Sequence, residues 1–159
     1  MFKMLGVENA YLQNILNICV GSNFHGVYSI DMIPFISQTE GKHSIVCNLA
    51  ESTVQFGHFV SICISNKCIY FYDPTGSKPN KTMNKYLKKY NKTIKLNTVK
   101  HQSLLSSFCS FFVIANVLKY HFPKKVRLNY KTKLLKNDDI SVKIICDFIS
   151  KYLFNKHEH

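Results

Sequence analysis

The run from Ser107 to His121, "SFCSFFVIANVLKYH", is apolar on nearly every side of a helix. A helix of that kind has no face to offer to water, so the rest of the chain has to enclose it. This one demand narrows the possible folds. A sheet packed around the helix would bury it. The remaining sequence supplies such a sheet.

Residues 7–18, "VENAYLQNILNI", place Leu12, Ile15 and Leu16 on one helical face, with Leu5 just before it. The segment "VGSNFHGVYSIDMIP" carries Gly21, Gly26 and Pro34 and reads as a loop with short extended pieces. Residues 42–50 suit a strand or a short helix. "GHFVSICIS" and "CIYFYDPTG", joined by Asn66 and Lys67, are rich in β-formers and end in an Asp-Pro-x-Gly turn, which predicts a hairpin over 58–64 and 68–73. Residues 79–90 space Met83, Tyr86, Leu87 and Tyr90 as a helix, and 92–99 alternate as a strand. "PKKVRLNYKTKLLK" has room for a short strand. Residues 137–154 read as a capped amphipathic helix. The sum is an α+β domain, a mixed sheet packed on a buried central helix, formed by residues 1–159 as one unit.

With 46% apolar and 13% aromatic residues the chain can build a real core. No apolar run reaches the ~20 residues of a membrane span, and the first residues lack the pattern of a secretory signal. Six cysteines in such a chain are expected to be reduced thiols rather than a disulfide framework. No Cys-x-x-Cys occurs and the spacings do not suggest zinc, although the terminal His-Glu-His could chelate a metal loosely. Charge is divided unevenly. Residues 1–80 are net −1 and residues 81–159 are net +13. A field of that size attracts polyanions, DNA first among them. The single Arg among 21 basic residues equally reflects an AT-rich coding sequence.

Within this frame a group of residues carries chemistry. Ser106 and Ser107 are N-cap candidates for the buried helix, which puts Cys109 in its first turn. Unpaired N–H groups and the positive end of the macrodipole there favour a thiolate and lower a thiol from ~8.5. The same N–H groups can hold an oxyanion. A small buried core residue would also satisfy that position. His58 opens one strand of the hairpin, where an imidazole could exchange a proton with the thiol. Asp73 closes the neighbouring strand at the same end and could orient the imidazole, or it could simply cap the turn. Gln102 lies seven residues before Cys109 and could supply a second oxyanion donor.

The order His58, Asp73, Gln102, Cys109, with that Gln-to-Cys spacing, resembles the adenovirus protease family and the related SUMO-specific proteases. It differs from papain-like enzymes, in which the cysteine comes first. Phe24, Gly26, Tyr28 and Pro34 match the family's segment after its first helix, and "GHF" and "YDPTG" match its Gly-His-aromatic and Asp-Pro-x-Gly segments. The resemblance covers about residues 8–115. It implies Cys109 as nucleophile, His58 as base, Asp73 as orienting acid and Gln102 as oxyanion donor. It also implies a narrow channel for Gly-type residues, walled in part by Phe59, where relatives carry Trp. By the same resemblance the substrates would be viral capsid or structural precursors, cleaved by a monomer in the virion and the infected cell. The source would be a virophage or a polinton-like element.

The adenovirus enzyme takes a disulfide-linked peptide cofactor through a Cys before its Gln. "NKTIKLNTVKHQ" has none, so that route is not expected, and no cofactor is required for the chemistry. DNA remains a possible activator through the basic half. Two other readings stand beside this one. One is a deubiquitinase-like or SUMO-protease-like enzyme with the same chemistry. The other is a basic nucleic-acid-binding protein with inert thiols.

Overall fold

The computed structural model describes residues 2–50, 57–97, 100–101, 109–124, 146–147 and 150–151. The segments holding Gln102, Ser106 and Ser107, the basic stretch after Lys124 and most of the last expected helix lie outside the described residues.

Helix α1 spans Phe2–Val20 and stops at Gly21, whose φ of +81° suits the left-handed residue that closes a helix. Strand β1 (Phe24–Ser29) follows, then β2 (His43–Asn48), β3 (Phe59–Ile64) and β4 (Cys68–Tyr72). Helix α2 (Lys81–Lys88), strand β5 (Thr93–Leu96) and helix α3 (Cys109–His121) complete the described elements. The fold is α+β with one mixed sheet of five strands in the order β1-β2-β3-β4-β5. The outer pairs β1/β2 and β4/β5 are parallel, and the inner pairs β2/β3 and β3/β4 are antiparallel. The expected hairpin is β3/β4, with Ser61 opposite Tyr72 and Ile64 opposite Ile69.

Both faces of this sheet are covered, which the reading of a single all-round apolar helix did not require. On one face Phe59 and Cys63 of β3, Val46 and Tyr72 meet Leu12 and Leu16 of α1 and Phe112 and Val113 of α3. On the other face Val60, Ile62, Ile64 and Phe71 meet Met83, Tyr86 and Leu87 of α2. Every residue of β3 is therefore buried, odd positions against α3 and even positions against α2. Two polar ties seat α3 on the sheet. Asn116 Nδ2 donates to Ser61 Oγ at 2.8 Å, and the Tyr120 hydroxyl donates to the Ile64 carbonyl at 2.7 Å. Helix α2 starts on Asn80, whose side-chain oxygen accepts from the Met83 N–H at 2.8 Å. No helix among the described residues is long and apolar enough to cross a membrane.

At the sheet end where β2 begins, three histidines gather. The rings of His25 and His43 stack at 4.3 Å, His43 Nδ1 donates to the Gly41 carbonyl, and His121 Nε2 bonds Ser44 Oγ at 2.8 Å. Burial lowers all three, and Lys42 and His43 help to push His121 down to about 4. These rings are neutral when folded but take protons below about 6.5 when unfolded, so the unfolded chain binds more protons and stability falls as pH drops. Between pH 7 and 5 the expected loss is about 1–2 kcal/mol from His121. Urea unfolding of the wild type and of His121→Gln at both pH values checks this, and the variant should lose that part of the pH dependence.

Candidate active site

The chemistry-bearing residues converge where β3 starts and β4 ends. Because the hairpin is antiparallel, His58 just before β3 and Asp73 just after β4 share one end of the sheet. His58 Nε2 lies 2.6 Å from Asp73 Oδ1. Cys109 lies close enough to the same ring to help raise it. Asp73 is 2% exposed, Cys109 3%, and the His58 side chain 28%. The imidazole is thus the group of the three that opens to solvent. These residues line a cleft of about 360 Å³ together with Leu49, Gly57 and Asn80.

Electrostatics follow from this arrangement. Burial pulls the His58 imidazole down, but the hydrogen bonds and charges of Asp73 and Cys109 outweigh it and raise it to about 9. Burial pushes the Asp73 carboxyl up, yet the bonds from His58 and Thr75 leave it below the usual carboxylate value. One oxygen, Asp73 Oδ1, accepts from His58, from the Thr75 N–H at 2.8 Å and from the Thr75 hydroxyl at 2.7 Å. Asp73 therefore holds the turn and the imidazole together; the two uses expected of it are compatible. By contrast, burial drives the Cys47 thiol up to about 12 and that of Cys63 higher still, as expected for inert core thiols. None of the six cysteines is in a disulfide.

Three features were not anticipated. The first is a donor to the sulfur. The Phe59 N–H points at Cys109 Sγ, 3.3 Å away. Continuing the β3/β4 register past Ser61 and Tyr72 would set Phe59 opposite Pro74. The chain turns there, however, and the Pro74 carbonyl accepts from the His101 N–H at 2.8 Å. The Phe59 amide is thereby released from the ladder and faces the thiol. The second is Gly57. A Cβ there would fall on the Asn48 side-chain amide, so only glycine lets the chain reach His58 on this path.

The third feature is Asn97, just beyond β5. Its Oδ1 accepts from the Asp73 N–H at 2.9 Å and its Nδ2 donates to the Asp73 carbonyl at 2.6 Å, a two-point clamp on the backbone of the acid. Removing it in Asn97→Ala takes the partner from the buried Asp73 N–H, at about 1–3 kcal/mol, while the carbonyl keeps the Gly76 N–H. The expected result is a lower His58 pKa by NMR titration and about tenfold slower alkylation of Cys109 at neutral pH. An unchanged titration would show that the clamp does not set the geometry of the acid.

The site thus unites His58, Asp73 and Cys109. Gln102 lies outside the described residues. Phe59 is fully buried among Leu12, Cys109 and Phe112, and its side chain is not part of the described cleft lining. What it contributes to the cleft is its backbone N–H. Among the described residues no cluster of His, Cys, Asp or Glu is arranged to hold a metal.

No protein-family model matches the chain, and no curated protein sequence matches it significantly. Solved structures do match in fold. ASFV pS273R protease superposes with a TM-score of 0.58 at 12% identity, over 86% of this chain and 64% of that one. A structure of AvrA with IP6 and CoA superposes with a TM-score of 0.50 at 15% identity, over 74% of this chain and 48% of that one. The chain therefore shares the fold of these structures and spans about two-thirds or less of their length.

Proposed function

We propose that the protein is a cysteine endopeptidase that matures viral structural precursors by cutting after small, Gly-type residues. The observation that carries this reading is the imidazole of His58 held between a buried carboxylate and a cysteine at the floor of an open cleft. An inert core cysteine has no use for that pairing.

The geometry supports the following sequence of steps. Cys109, as thiolate beside the His58 imidazolium, attacks the scissile carbonyl carbon and a C–S bond forms. The carbonyl oxygen takes the negative charge and is held by N–H groups at the start of α3, with Gln102 as the proposed side-chain donor. His58 gives its proton to the departing amine nitrogen and the C–N bond breaks, leaving a thioester. Water then loses a proton to His58 and attacks the thioester carbonyl. The C–S bond breaks and the thiolate–imidazolium pair is restored. Asp73 remains ionised throughout and stabilises the imidazolium. No metal or redox cofactor enters any step.

The test is hydrolysis of a peptide library with Gly at the cleaved position, by wild type and Cys109→Ala. Cleavage by the wild type alone, after Gly, supports the reading. Cleavage confined to folded modifiers ending in Gly-Gly would move the assignment to a deubiquitinase-like enzyme. No cleavage, together with Cys109 alkylation no faster than that of Cys68, would remove the protease reading.

A further inference from the structure

The cleft is bordered by a stretch with an unusual charge balance. Residues 74–101 contain eight Lys and no Asp or Glu. Lys78 lines the cleft beside His58 and Cys109, and so does Asn80, the cap of α2. From there Lys81, Lys85 and Lys88 follow at helical spacing along α2, all exposed, while Met83, Tyr86 and Leu87 occupy its buried face. The row begins at the cleft rim and runs away from it for roughly 10 Å at 1.5 Å per residue.

Two observations set this row apart from an ordinary solvated face. Among the described residues none of these lysines has a carboxylate partner, the His58–Asp73 pair being the ion pair recorded there. Lys81 also stands in the first turn of α2, at the positive end of the helix, with no acidic residue in that turn to offset it. That placement is unfavourable in the free protein and is relieved when an anion arrives.

We infer that Lys78, Lys81, Lys85 and Lys88 form an exosite for an acidic stretch of the polypeptide substrate, laid along α2 and leading the scissile bond into the cleft. This rests on the protease reading of Cys109 and His58. A polypeptide fits better than a nucleic acid for two reasons. The row is one helix wide and only roughly 10 Å long, which suits a short extended peptide better than a nucleic-acid backbone held through many phosphates. Within the row itself no exposed aromatic ring is offered for base stacking, since Tyr86 is 2% exposed and Tyr90, past its end, is partly buried.

The experiment uses the full chain and two fluorescein-labelled peptides, a Glu-Gly-Ser repeat and its Gln-Gly-Ser counterpart, with single-stranded DNA as competitor. Binding is read by anisotropy, and Cys109 alkylation by iodoacetamide is followed with each peptide present. The expected result is binding of the Glu peptide alone, weakened about tenfold or more by about 0.5 M salt and by Lys81→Gln/Lys85→Gln/Lys88→Gln. Gln matches Lys in helix propensity, so α2 should persist in that variant, as circular dichroism would verify. The Glu peptide should also slow Cys109 alkylation in the wild type but not in the variant. Equal binding of both peptides, binding untouched by the lysine changes, or binding without protection of Cys109 would each overturn the exosite. DNA binding much tighter than the Glu peptide, with Cys109 left unprotected, would instead mark a nucleic-acid surface. Failure of the protease reading is separable from all of these: Cys109 would then alkylate no faster than Cys68 with no peptide present.

Discussion

Replacing His58 with alanine is expected to abolish the fast alkylation of Cys109 and to lower peptide hydrolysis by about 10²–10⁴-fold. The size follows from what the ring does in both halves of the reaction. In the proposed mechanism it protonates the leaving amine and then activates water. His58 is raised to about 9, so in the wild type it carries the needed proton across the neutral range. Mass spectrometry of alkylated peptides, residue by residue, reads the effect without a known substrate. Cys47 and Cys63 act as internal standards, because their burial keeps them unreactive in both proteins. If Cys109 in His58→Ala still labels at the wild-type rate, the imidazole is not its activator.

The second large effect is expected from Asp73→Asn. The amide oxygen can still accept from His58 and Thr75, so the geometry is retained while the charge is lost. Hydrolysis should fall about 10²-fold, and the pH profile should move in a defined direction. In the wild type the imidazolium is lost only as pH rises through about 9, which sets the basic limb of kcat/KM. Without the carboxylate the imidazole ionises at lower pH, and that limb moves down. Stability changes with the same sign. A histidine raised from 6.5 to about 9 contributes in full below 6.5, and its contribution is lost as pH rises to about 9. Asp73→Asn should flatten urea midpoints across that window. A basic limb that stays in place would assign the raised pKa to something other than Asp73.

Much of this site was legible in the sequence because its parts are local. Alternation and an Asp-Pro turn place His58 and Asp73 at one end of a hairpin, and the apolar run after Cys109 demands a central helix. The same local logic located α2 and β5. It could not say that α2 covers the opposite face of the sheet from α3, because an amphipathic helix shows only that it packs, not against what. The Asn97 clamp, at 24 residues' separation, and the Phe59 amide, at 50 from Cys109, were beyond it for a related reason. An asparagine after a strand and a backbone N–H within one carry no pattern until the tertiary partners are known. Phe59 illustrates the limit from the other side. The family resemblance gives its ring to a channel wall; in the structure the ring is buried with the core of β3 and α3.

The ladder between β3 and β4 ends one rung early, and that missing rung sets a trade-off between robustness and reactivity. A hairpin completed through Phe59 and the Pro74 carbonyl would be a better sheet, but its last amide would no longer be free for sulfur. Variants selected only for thermal tolerance at this end should drift toward closing the rung and lose the donor to the Cys109 sulfur as they do so. The ragged end of the hairpin is therefore the place where a stabilised protein would most readily become a silent one.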